Sequence, residues 1–158
     1  MELTTEQFNA LRLVVKAEPS LQAALTNGAD YLVADWCNAP TTYVVWRTNV
    51  SERELMLGFD WTRVDNLSVG KARIWEWMFR FDNINPSKVN IRAGIDAAWV
   101  GTTADLAVRA AVYSYCKRFA TNAEKVLATT PGNGLDATPA TMTFEGKISV
   151  ETAGLFKF

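Results

Sequence analysis

Asp60 and Asp65 bracket the stretch WTRV, and two carboxylates this near in sequence are raw material for general acid–base chemistry. They sit in an aromatic, loop-like stretch, FDWTRVDN, where Asp more often bonds to nearby backbone amides and stabilises a turn. The chain contains no His. That removes Ser-His and Cys-His nucleophiles, His-ligated zinc and the usual proton carrier near neutral pH. Cys37 and Cys116, the only cysteines, stand far apart and outside any CxxC pairing, so neither a disulfide framework nor a thiolate metal site is supported. Two reduced, partly buried thiols are expected. PGNGLD, residues 131–136, has two Gly but lacks the Lys-Ser/Thr ending of a phosphate-binding loop, and reads as a turn. These residues together predict no enzyme: no catalytic residue, no cofactor and no metal.

Charge bears on nucleic acid in the same way. Sixteen Lys and Arg against 17 Asp and Glu leave a net charge of -1, which offers no field to gather DNA or RNA from a distance. Arg109, Lys117, Arg118 and Lys125 form a mild basic series, but Asp105 and Glu124 sit among them. A solvated face or an ion-pairing subunit contact is the expectation there.

The elements that must carry these side chains follow from periodicity and punctuation. A chain of 158 residues, 49% apolar and 21% charged, has the size and balance of a globular fold with a core of its own. Its first residues lack the basic start and continuous apolar stretch of a signal peptide. No run of about 18 apolar residues is present, so no membrane anchor is expected.

Thr4 and Gln7 form a capping-box pattern for a helix over residues 5–17. Pro19 opens a short second helix that stops at Asn27-Gly28, and a third follows until Asn38 and Pro40. TYVVWRTNV favours a strand. Ser51 and Glu54 cap a short helix that Gly58 ends. Ser68 caps a helix to about residue 81, and another starts near residue 86 or 87 with Ile91, Ile95, Ala98 and Trp99 on one side. Residues 103–128, Ala-rich and without Gly or Pro, predict one long final helix. A Pro/Gly/Thr connector then leads to TMTFEGKISV, an edge strand or hairpin arm, and to the apolar AGLFKF. The expected fold class is mainly α, a helical bundle with a short extended or β segment and a C-terminal β arm. Residues 1–130 would form the helical domain and residues 131–158 a connector and extended docking arm.

KARIWEWMFRF, residues 71–81, is the most distinctive stretch. At about 100° per residue, Arg73, Glu76 and Arg80 share a polar arc roughly 60° wide, while Ile74, Trp75, Trp77, Met78, Phe79 and Phe81 cover most of the rest. An ordinary surface helix hides one stripe; this one needs two partners, within the chain or in another subunit. Its basic residues are too few and too dispersed for phosphate binding. Six Trp in the chain sharpen the subunit alternative, since Trp and Tyr are enriched at protein interfaces, while for Trp36, Trp46, Trp61 and Trp99 taken singly the core is the expectation. The expected interface residues are Trp75, Trp77, Phe79 and Phe81 in this helix, and Phe144, Leu155, Phe156 and Phe158 in the C-terminal segment.

The segments ADWCNAP, VVWRTNV, FDWTRVDNLSVGKARIWEWMF, NINPSKVNIRAG, RFATNAEKVLAT and ATPATMTFEG resemble a family of small tailed-bacteriophage proteins found with virion structural components, of the head-to-tail connector type. The resemblance spans residues 34–146 and rests on no single diagnostic motif. It implies a head-tail adaptor or head-completion protein, forming a homo-oligomeric ring against the phage portal protein and tail or nozzle proteins. It also implies passive passage of DNA, and a place at the head–tail junction of the virion after assembly in the host cytoplasm. The alternatives it leaves are a capsid-decorating or tail-terminating subunit. A small regulator binding DNA or a host protein is the reading from another class.

Overall fold

The computed structural model describes residues 2–58, 61–80 and 82–158, with Trp61 described by its backbone. Asp60 and Phe81 therefore lie outside the described residues. The elements run in the order α1 (Thr5–Ala17), a 3-10 turn (Pro19–Leu21), α2 (Gln22–Asn27), α3 (Asp30–Asn38), β1 (Pro40–Trp46), β2 (Val50–Ser51), α4 (Glu52–Met56) and α5 (Trp61–Asp65). They continue as α6 (Val69–Met78), β3 (Asn83–Ile84), α7 (Val89–Ala98), α8 (Thr103–Tyr115), β4 (Lys117–Thr121), α9 (Asn122–Val126), β5 (Ala128–Thr129), β6 (Thr141–Met142), α10 (Val150–Gly154) and a second 3-10 turn (Leu155–Lys157). β1 pairs with β4, β2 with β3 and β5 with β6, as three two-stranded sheets. The fold is mainly α with short β segments, as expected.

The chain forms two compact units, Met1–Val45 with Phe119–Phe158, and Trp46–Arg118. In the first, α1 starts where the sequence signals it: Thr4 Oγ1 accepts from the Gln7 amide at 3.2 Å, and the Gln7 side chain accepts from the Thr4 amide at 2.9 Å. Two otherwise orphaned N–H groups are thereby satisfied. α2 stops at Gly28, whose φ of 68° is left-handed and costs Gly little. Leu11 and Val15 of α1, Val33 and Cys37 of α3, and Ala123 and Leu127 around α9 make the core.

Residues 131–158 complete that core instead of forming a separate extended arm. Phe144, Ile148 and Phe156 are buried in it, and the Phe156 ring lies 5.0 Å from that of Phe8. Asn38 fixes the segment by a reciprocal pair: its Nδ2 donates to the Ile148 carbonyl and its Oδ1 accepts from the Ile148 amide, both at 2.8 Å. The strand content beyond the connector is confined to β6, after which Ser149 caps α10 by accepting from the Thr152 amide at 3.2 Å. Burying a Phe side chain contributes about 1.5–3 kcal/mol, which adds to the other buried contacts and hydrogen bonds that offset the entropy of ordering the segment.

The second unit is built on aromatic packing. Trp75 meets Phe79 at 5.0 Å and Trp99 at 5.4 Å, both edge-on, the geometry favoured by ring quadrupoles. Ile95 and Ala98 of α7, Val108 and Val112 of α8, and Leu55 of α4 close around them. Trp46 is flanked by Arg92 at 4.8 Å and Lys117 at 5.8 Å.

Three expected elements differ. The long helix over residues 103–128 ends at Tyr115. The Cys116 carbonyl accepts from the Arg47 amide at 2.8 Å, Lys117–Thr121 becomes a strand paired with β1, and a capping box from Thr121 to Glu124 starts α9. Tertiary pairing overrides helix propensity here. Glu124, expected among polar positions, is 3% exposed, with its carboxylate accepting from the Thr121 amide at 2.9 Å. Residues 61–65 are helical, not a loop, and Arg63 holds them to Asp105 at 2.8 Å. The helix expected over residues 68–81 is shorter, because the chain leaves helical geometry at Phe79 and Asp82 takes a φ of 69°.

Candidate interaction surface

Ser68 opens α6 as expected, its hydroxyl accepting from the Lys71 amide at 3.4 Å. Trp75 and Phe79, four apart, point into the core. The opposite series, Gly70, Arg73, Ile74 and Trp77, follows the i, i+3, i+4, i+7 spacing of a second helical face. That face is open: Ile74 is 39% and Trp77 66% exposed.

α7 supplies the facing wall. A Cβ on Gly94 would meet Met78 Sδ at 2.8 Å, so the missing side chain is what lets Met78 of α6 lie against α7. Trp77, Ile74 and Met78 from α6, with Ile91 from α7, give an apolar lining to an open groove of about 760 Å³, and Asn83, Asn85 and Asn90 add amides. Among the described residues its charged lining is Arg73 and Lys88, with no carboxylate. Among the described residues neither cationic head has an ion-pair or hydrogen-bond partner. An apolar trough with unneutralised cations is equipped to bind an apolar surface that carries negative charge.

The expected interface residues fall into separate classes. Trp75, Phe79, Phe144 and Phe156 are buried at 7%, 5%, 1% and 0% exposure; they are core residues, and the free chain does not present them to a partner. Trp77, Leu155 and Phe158 are exposed at 66%, 54% and 76%. Trp77 lines the groove of the second unit; Leu155 lines a smaller hollow of about 450 Å³ in the first, beside Phe8 and Thr152. The sequence signalled the two-sided apolar character of α6 but put Arg73 in its polar arc. Ile91 was legible on the apolar side of its helix, whereas the groove residues Gly94 and Lys88 were not singled out. Gly70 and Gly94, small residues inside two helices, were the available signal that these helices frame a surface.

The perturbed titratable groups have structural surroundings. Burial pushes the Cys37 and Cys116 thiols up to about 12, which keeps them protonated and unreactive. Burial, then a hydrogen bond to Asp96 at 2.9 Å, raises Tyr113. The carboxyls of Glu54 and Asp105 are held below the usual range by hydrogen bonds from Arg47 and Arg63 respectively, then by capping bonds. Among the described residues, no group of three His, Cys, Asp or Glu side chains comes together to hold a metal. Nor is any described helix long and apolar enough to cross a membrane.

No family model, curated protein or solved structure matches this chain.

Proposed function

We propose that this chain is a non-enzymatic structural protein of a tailed bacteriophage, a ring-forming adaptor that joins the capsid portal to the tail. The observation that carries the reading is the uncovered apolar face of α6, with Trp77 66% exposed above the groove. A large aromatic in a well-formed groove is a typical anchor of a protein interface, and α6 lies within the segments that resemble phage connector proteins. In this role the neighbouring surfaces are those of another copy in the ring, the portal, and tail or nozzle proteins. The net charge of -1 suits a ring around a DNA path, since a lining that gripped phosphates would hinder passage of the genome. Its place is the head–tail junction, reached after assembly in the host cytoplasm.

An amber mutation in the gene, in a phage that carries it, tests this. DNA-filled heads separated from tails are the expected product, rescued by the protein supplied in trans. Tailed but fragile capsids would move the chain to capsid decoration, and tails of uncontrolled length to a tail terminator. Normal infectious particles would end the structural reading.

A further inference from the structure

We infer that the groove between α6 and α7 docks an acidic amphipathic helix of another protein, one with a large apolar ridge flanked on both sides by carboxylates. The inference rests on reading this groove as an interface, and adds the chemistry of what occupies it. Shape comes first. α6 and α7 have ten residues each, about 15 Å of helix, and the α6 residues that line the trough run from Gly70 to Met78, more than two helical turns. Its apolar lining belongs to two packed helices, whose ridges and grooves suit a third helix presenting anchors at i, i+3 or i+4, and i+7.

Charge then selects among helices. Arg73 comes from α6 and Lys88 from the residue immediately before α7, so each helical wall of the groove supplies one cation, and among the described residues no lining carboxylate neutralises either. A docked helix with Glu or Asp on both flanks would satisfy both cations, and a basic helix would be repelled. Nucleic acid fits poorly, because two separated cations over Ile74, Trp77 and Met78 do not make a phosphate track.

The test uses the full chain and a pair of helix-constrained peptides of about 15 residues, one with a Leu ridge flanked by Glu and the other identical with Lys in place of Glu. Amide and indole NMR shifts report where each binds. The Glu peptide is expected to shift Trp77, Ile91 and their neighbours, and to bind at least about tenfold more tightly than the Lys peptide. The double variant Arg73→Glu, Lys88→Glu changes exposed side chains; it should keep the wild-type circular dichroism and reverse the preference. The inference is overturned by equal affinity for the two peptides, by shifts outside the groove, by no binding at millimolar peptide, or by a preference that survives the double variant. Concentration-dependent shifts of the same residues without peptide would assign the groove to a second copy and also overturn it. All of this is read on the isolated chain, so failure here leaves the virion role standing, and failure of the virion role leaves this result intact.

Discussion

Phe156 and Phe158 are separated by one residue, and the structure gives them opposite fates. Phe156 is 0% exposed against Phe8, whereas Phe158 is 76% exposed. Replacing Phe156 with Ala removes a fully buried ring from the core that α1, α3 and the C-terminal segment share, and leaves a cavity behind. Large-to-small changes of this kind cost about 3–5 kcal/mol. For a chain of this size each kcal/mol moves the midpoint by about 2–4 °C, so the melting temperature should fall by about 6–20 °C. Phe158→Ala should stay within about 0.5 kcal/mol of wild type. Urea and thermal unfolding followed by far-UV circular dichroism measure both. Hydrogen exchange at Leu11 and Val15, buried in the same core, locates the loss for Phe156→Ala. Equal shifts for the two variants, or a neutral Phe156→Ala, would refute the placement of the C-terminal segment in the core.

The same contrast holds on α6: Trp75→Ala should cost about 3–5 kcal/mol in urea unfolding, while Trp77→Ala should fold normally and fail to assemble in particle reconstitution. Glu54 and Asp105 have folded-state carboxyls below their unfolded values. Their contribution is therefore complete above about pH 5 and lost as pH falls through the folded values. The variant Glu54→Gln, Asp105→Asn should flatten that acid limb in a pH series of unfolding midpoints; an unchanged slope would remove these ion pairs from the account. Cys37 and Cys116, pushed up to about 12 by burial, should resist a thiol reagent at pH 8 in the native chain and react on denaturation. Modification of either thiol in the native chain would contradict their burial.

Local signals proved legible because they act within a few residues. The Thr4–Gln7 and Ser51–Glu54 boxes, the left-handed Gly28 and the Ser68 cap all mark helix ends that the structure reproduces. The break after Tyr115 was hidden because KRFAT carries no Gly or Pro, and its strand form comes from pairing with β1, distant in sequence. The Thr121–Glu124 box was nonetheless written there. The apolar C-terminus was legible as something that must be covered, but not by what: its cover is α1 and α3 of the same chain. At the candidate site, periodicity exposed the two faces of α6, one of them closed by Trp99 and the other left as a groove. Which face would be open depended on where α7 packs, a contact distant in sequence in which Met78 lies close over Gly94.

A chain that sits at the head–tail junction of a virion, as proposed, must be present there in a copy number set by the portal ring. Quantitative mass spectrometry of purified virions, with the portal protein as internal standard, should find the chain in parity with the portal or in a small ring multiple of it. A much larger number would place it in the capsid or tail tube, and absence from the virion would contradict the account.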